Sequence, residues 1–351
     1  MTGATSYRTA WDKSVGESSS WIPASACTFK TGVANVAYSM ILADTFKALA
    51  RSAGYDFTRT NVLLGITVSI LFPLCMMKDL ASLAPFSLLG IAGMGFTALA
   101  MGIRCFGGDY ALPAGRFLAD IPASSQPFFG DMGMKAAASP KTFILLSMLS
   151  TAYLAHYNAP KYYMELKDNT IKRYNTVVGT AFTVAIAIFT AITALGFLTF
   201  GANSQGFILN NYSTKDSLAT MCRIAIAVSI VFSYPLAFVG LREGMFDLLN
   251  VSVKDRAGRA ADIMSVKCLG VVTLIATMLT DLSFVLSFGG ATLGNAIVFG
   301  FPALMFRAVV RNQGLEGRFG GEAKLCKALL WAGIGMGGIG AFQALKAQGL
   351  F

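Results

Sequence analysis

The chain has one histidine, His156, and it stands among Thr151, Tyr153, Asn158 and Pro160 at the end of an otherwise apolar run, TFILLSMLSTAYLAHYNAPKYY. Pro160 lacks an amide proton and its ring clashes with the carbonyl one turn earlier, near His156, so a helix here is interrupted. Backbone left unpaired at membrane depth is tolerated only where it lines a cavity. Discontinuous helices of that kind build midplane sites for small solutes and their coupling ions. An imidazole in such a place changes charge near physiological pH. A plainer reading ends the helix at His156 and lets Pro160 open an interfacial segment. The residues by themselves leave both open.

Two further runs could contribute. In Ser229-Ile-Val-Phe-Ser233-Tyr234-Pro235 a proline follows two serines, a second candidate break. Hydroxyl oxygens beside a freed carbonyl suit a hard cation such as Na+, which makes Ser233 the candidate metal ligand and Ser229 a candidate for solute contact. Serines of this kind also bond back to their own helix and ease a kink. In TGVANVAYSMILADTF, Asn35, Tyr38 and Asp44 interrupt an apolar face. Tyr38 needs a partner for its hydroxyl, from packing or from a ligand, and Asp44 is expected in solvent or paired with Lys47. Soluble catalysis has no footing, so an enzyme is not expected: the chain holds no Walker sequence, no H-E-x-x-H and no paired carboxylates within a span. Gly-Met-Gly-Gly-Ile-Gly at 335–340 imitates a dinucleotide fingerprint. It sits inside an apolar run with no strand before it, which points to helix packing.

Residues of this kind have to be held by membrane helices. Of 351 residues, 55% are hydrophobic and 13% charged, with a mean hydropathy of +0.60; a soluble domain carries about 25% charged residues. A bilayer core of roughly 30 Å takes about 20 apolar residues per helix. Such runs recur at about 22–50, 60–77, 83–103, 142–164, 176–200, 217–241, 265–281, 284–307 and 325–345. The expected fold class is all-α: one polytopic transmembrane domain, 21–345, of about nine helices, between a polar loop-like segment, 1–20, and a short tail, 346–351. Residues 1–20 contain no signal-peptide hydrophobic region. The net charge of +10 lies in short basic clusters between apolar runs, a distribution that sets membrane topology rather than one that binds nucleic acid. With residues 1–20 in the cytoplasm and the spans alternating, 18 of the 28 Lys and Arg fall inside, Lys30 and Lys78 among them. The N-terminus is therefore expected in the cytoplasm. On that topology Asn211-Tyr212-Ser213 faces outward and Asn250-Val251-Ser252 inward, and only the first sequon is expected to accept a glycan. The six scattered cysteines indicate neither a metal site nor a disulfide framework.

Taken in order, these segments resemble a known family. Ala152-Tyr153, His156-Tyr157-Asn158-Ala159-Pro160 and Tyr163-Met164-Glu165-Leu166 are similar to the sixth-helix signature of the amino acid/auxin permease family, within the amino acid–polyamine–organocation superfamily. Lys167-Asp168, Lys172-Arg173 and Gly196-Phe197-Leu198-Thr199-Phe200-Gly201 resemble its next loop and helix. Pro73-Leu74 with Lys78-Asp79-Leu80 resembles its fourth-to-fifth helix turn. Arg223, Ser233-Tyr234-Pro235-Leu236 and Arg242 resemble its eighth helix, and Gly290-Ala291-Thr292 through Pro302 its tenth.

The resemblance implies a leucine-transporter-like fold of inverted five-helix repeats plus a terminal helix. It implies secondary active transport of neutral amino acids by alternating access, with H+ or Na+ as the coupling ion and no cofactor. It puts Thr151, Tyr153 and His156 in the unwound sixth helix and Asn35 and Tyr38 on the third helix, which flanks the substrate. Ser233 falls where sodium-coupled members carry a hydroxyl ligand. Matched this way, the first span here corresponds to the family's third helix, and the first two have no counterpart. A truncated gene model and a partial repeat are the expectation. The implied partners are an amino acid substrate and the lipid bilayer, of a plasma or a vacuolar or lysosomal membrane, with no nucleic acid and no obligate protein partner. The competing expectation is a non-transporting membrane sensor or regulatory protein.

Overall fold

Polar side chains at the segment ends decide where the helices begin. Thr58 accepts from the Asn61 amide, Thr170 from Arg173, Asp216 from Leu218 and Ala219, and Asp281 from Ser283 and Phe284, each satisfying amides that the first helical turn leaves without a partner. The computed structural model describes residues 3–4, 6–77, 84–130 and 139–350; the Lys78-Asp79-Leu80 turn lies outside the described residues. The helices are α1 (Tyr7–Ser14), α2 (Trp21–Ser52), α3 (Arg59–Cys75), α4 (Ala84–Phe106), α5 (Thr142–Ala152), α6 (Ala159–Glu165), α7 (Ile171–Phe200), α8 (Ser217–Leu248), α9 (Arg259–Met278), α10 (Leu282–Asn312) and α11 (Glu316–Ala347). Among the described residues no strand forms, and six helices, α4 and α7 to α11, are long and apolar enough to cross a membrane. The chain is an all-α, multi-pass integral membrane protein.

Several expectations change in detail. The polar segment 1–20 is not a loop: α1 forms there because Ser6 and Thr9 make a reciprocal capping box, while Tyr7 and Trp11 bury their rings against Phe301 of α10. The run 142–164 is two helices, α5 and α6, with an irregular connection. Pro235 breaks nothing, since α8 continues through it from Ser217 to Leu248; packed neighbours hold the helix together around the freed carbonyl. In α3 the turn before Pro73 widens into a π stretch, Thr67–Leu71. In α10 the glycine-rich run does the same twice, at Gly290–Gly294 and Ala296–Gly300. The sequon residue Asn211 is wholly buried, its amide donating to the Asn203 carbonyl at 2.8 Å and its Oδ1 accepting from the Gln205 amide at 2.8 Å. In the folded chain it is no glycan acceptor.

Small residues bring the helices together. α8 lies between α2 and α4, with Gly240 against Thr31, Gly244 against Thr28 and Gly93 against Ala225. The largest core gathers α2, α3, α8, α9 and the start of α10 around Met40, Leu63, Tyr234, Phe238 and Val272. A second core, around Tyr110, Phe200 and Tyr212, closes the loop end of the bundle. A third joins α1, α2 and α10 to Leu154 and Tyr157 at the opposite end. Of the glycines in the 335–340 run of α11, Gly337 meets the Ala291 carbonyl and Gly340 Ser147, as packing requires, while Gly335 and Gly338 face open space; Gly333, just before the run, meets Phe299.

Candidate functional site

The α5 helix stops at Ala152, four residues before His156, so the interruption precedes the point that Pro160 alone would dictate. The chain turns through Tyr153–Ala155, makes a short 3-10 segment at His156–Asn158 and enters α6 with Pro160 in the first turn, where its missing amide costs nothing. Facing this break is the doubly widened part of α10. Gly290 allows the approach: a Cβ there would run into the Ser147 carbonyl and stand 2.7 Å from the Thr151 hydroxyl.

Three helices are tied together at that contact. The Thr151 hydroxyl donates to the Leu286 carbonyl of α10 at 3.2 Å and accepts from the Lys30 ammonium of α2 at 3.2 Å. Lys30 is only 4% exposed. Next to Thr151 in α5, Ser150 donates to Asn295 Oδ1 of α10 at 2.6 Å, leaving the buried Asn295 amide nitrogen without a partner. Asn35, 0% exposed, donates to the Thr31 carbonyl at 2.8 Å while its Oδ1 has no partner. The half-buried His156 likewise has a buried Nδ1 without one. Unsatisfied polar atoms at this depth are costly. Others lie elsewhere, at Asp12, Thr45, Arg59, Thr67, Tyr212 and Thr273, but those of His156 and Asn295 fall at the break and on the π-widened stretch of α10 that faces it.

The expected site residues divide. Thr151 is at the centre of the junction and His156 at the break, while Asn35 and Tyr38 belong to α2. Tyr38 packs against Tyr234, ring centroids 6.4 Å apart, and the Tyr234 hydroxyl shares a 3.1 Å hydrogen bond with Ser39. Tyr153 turns away, stacking on Phe182 and Phe189 of α7 at 6.0 and 5.4 Å. Ser229 points at Gly90 of α4, on another face of α8, and is not brought to the break. Ser233 is half-buried on α8, and no side-chain hydrogen bond to its hydroxyl is found among the described residues. Asp44 pairs with Arg59 at 2.8 Å rather than with Lys47, and also accepts from Asn210 at 3.3 Å. It lines a cavity of about 240 Å³ with Asn210 and Asp281 at the loop end. The residue that sequence reasoning passed over is Lys30, counted only as a topology marker. An ammonium nine residues into a 32-residue helix, far from Lys47 and Arg51 at its other end, was the available signal.

Comparison with known proteins agrees with this architecture. The family model described as "Transmembrane amino acid transporter protein" matches residues 2–336. The chain is 24% identical over 281 residues to "Putative sodium-coupled neutral amino acid transporter 11" of Homo sapiens, covering 78% of this chain and 64% of that protein. It is 23% identical to "Amino acid transporter AVT6E" of Arabidopsis thaliana, over 72% of this chain and 51% of that one. With "Sodium-coupled neutral amino acid symporter 2" of Danio rerio it shares 22%, over 72% and 52%. The chain thus spans less than two thirds of the length of each of these relatives. The family description and the relatives' names describe transporters, not enzymes. With a match running through nearly all of its helices, the chain belongs to the transmembrane amino acid transporter family.

Proposed function

We propose that the protein moves neutral amino acids across a membrane by alternating access, with the substrate held where the α5–α6 break meets α2 and α10. The observation that carries this reading is the Thr151 junction, at which a broken helix, a π-widened helix and a buried cation meet. Irregular backbone and unpaired polar atoms at such depth are the material of transporter sites. α5 and α10 are held to each other by close packing at Gly290, by the Thr151 hydroxyl on the Leu286 carbonyl and by the Ser150 hydroxyl on Asn295 Oδ1, contacts that can part without unfolding either helix.

Of the two candidate coupling ions, H+ is favoured. His156, the titratable group at the break, has an unpartnered ring nitrogen, whereas Ser233 has gathered no other oxygen donor. The relatives named as sodium-coupled make Na+ the alternative to be measured. A cytoplasmic N-terminus is supported by the basic side chains near α1, Arg307, Arg311, Arg318, Lys324 and Lys327, at the junction of α10 and α11. The protein reconstituted in proteoliposomes should take up radiolabelled neutral amino acids when an H+ gradient is imposed. Uptake unchanged in a His156→Ala, Pro160→Ala double variant would refute the site, and saturable binding with no flux under either gradient would replace transport with a sensing role.

A further inference from the structure

Lys30 lies nine residues into α2, is 4% exposed, and finds one hydrogen-bond partner, the Thr151 hydroxyl at 3.2 Å. An ammonium has three protons to place and a full charge to compensate. No carboxylate among the described residues lies within ion-pair distance of it. The nearest on its own helix, Asp44, is fourteen residues further along, about 21 Å at 1.5 Å per residue, and is already held by Arg59. A buried cation without an anion is strongly unfavourable unless something else supplies the negative charge. Among the described residues Lys30 meets the Thr151 hydroxyl and, through the last turn of α5, the partial negative end of a helix dipole, which is less than a full charge.

We propose that Lys30 is the anchor for the substrate's carboxylate, with the Thr151 hydroxyl as the second donor. The inference rests on the transport reading and names the chemical group that the site requires. One cation calls for one negative charge, which suits a carboxylate rather than a phosphate. The two carboxylate oxygens match an ammonium and a hydroxyl that are already neighbours. To donate to the carboxylate, Thr151 gives up the Leu286 carbonyl, which becomes an acceptor beside the bound group. An α-amino acid carries its ammonium one carbon from its carboxylate, so the same rearrangement provides acceptor and donors for both ends of the zwitterion. It also undoes the hydrogen bond from Thr151 to α10 and leaves Ser150 on Asn295 as a remaining tie, so substrate binding weakens the hold of α5 on α10.

The test compares wild type, Lys30→Met and Lys30→Arg in nanodiscs, using thermal unfolding and competition binding. The probes are a panel of neutral amino acids, their carboxamides, and a simple monocarboxylate such as propionate. Wild type should prefer each acid to its amide by about a hundredfold, the size expected when a buried charge loses its partner. Lys30→Met should lose that preference and Lys30→Arg keep part of it. Without ligand, Lys30→Met should unfold at a higher temperature than wild type, because an uncompensated buried charge has gone. That result separates loss of recognition from misfolding. Amino acids bound with the acid-over-amide preference intact in Lys30→Met would overturn the role of Lys30 and leave the transport reading standing. Propionate stabilising wild type but not Lys30→Met, while no amino acid binds, would keep the anchor and remove the transport reading. No carboxylate effect on any variant would remove both.

Discussion

At the loop end of the bundle the cations are answered, whereas in its middle one is not. Arg104 grips Asp216 at 2.7 Å and Asp109 at 3.0 Å, and Asp216 also accepts from the Tyr110 hydroxyl and caps α8. Arg223, 1% exposed, donates to the carbonyls of Leu209, Tyr212 and Ser213. Arg59 has Asp44. Lys30, as deeply buried, has a hydroxyl. The first region uses charge to fix a loop-and-helix cap, and each partner is supplied by the chain. The second holds charge in reserve. Single polar atoms go unpaired in both regions, Arg59 Nη2 and the Tyr212 hydroxyl at the loop end among them, so the contrast is one of whole charges, and substitutions in the two regions should separate along that line.

The largest effect on folding is expected from Asp216→Ala. It leaves Arg104 with Asp109 alone, frees the Tyr110 hydroxyl and uncaps α8 in one step, and removing one partner of a buried pair costs up to about 3–5 kcal/mol. Thermal unfolding in nanodiscs should show a large drop, and an unchanged midpoint would erase the contrast between the regions. Gly290→Ala is next. Its methyl group meets the Ser147 carbonyl and the Thr151 hydroxyl, and overpacking of this kind costs about 1–3 kcal/mol. It should also part Thr151 from Leu286, so uptake is expected to fall by more than the stability loss explains.

The smallest effect belongs to Tyr110→Phe, which loses the bond to Asp216 and the acceptor for the Ser213 amide, about 1–2 kcal/mol. Its signature is in pH. Burial, with Asp216 beside it, raises the Tyr110 phenol above its ordinary value of 10.0, so the folded chain keeps a proton that the unfolded chain releases near pH 10. The stabilisation is complete below about pH 10 and is lost as pH rises beyond it. Unfolding midpoints followed from pH 8 to 11 should turn downward near 10 in wild type and less steeply in Tyr110→Phe.

How far the sequence foretold this differs by residue. Apolar runs located the helices, because a bilayer demands length and hydrophobicity and both are written along the chain. That the helix would be interrupted was legible because Pro160, Asn158 and His156 are poor company for a membrane helix, while the choice between a cavity-lining break and the start of an interfacial segment was left open by the residues. Which way a side chain points was not legible. A helix that is apolar all round carries no amphipathic stripe, so nothing along the chain said that Tyr153 faces α7, that Ser229 faces α4, or that Lys30 reaches Thr151 across 121 positions. Asp44 was expected in solvent or beside Lys47, one turn away, when its partner, Arg59, comes from the next helix. Pro235 resembled Pro160 in its surroundings, yet only one of them accompanies a break. The difference lies in packing: Pro235 is buried in the main core and Pro160 is not.

The contrast between an answered and an unanswered cation is tested most directly by an experimental structure of the protein in nanodiscs with a saturating neutral amino acid. The account predicts density between Lys30, Thr151 and the α5–α6 break, with the Thr151 hydroxyl turned from the Leu286 carbonyl toward the ligand. Density instead in the cavity lined by Asp44, Asn210 and Asp281, with the Lys30–Thr151–Leu286 chain intact, would contradict it.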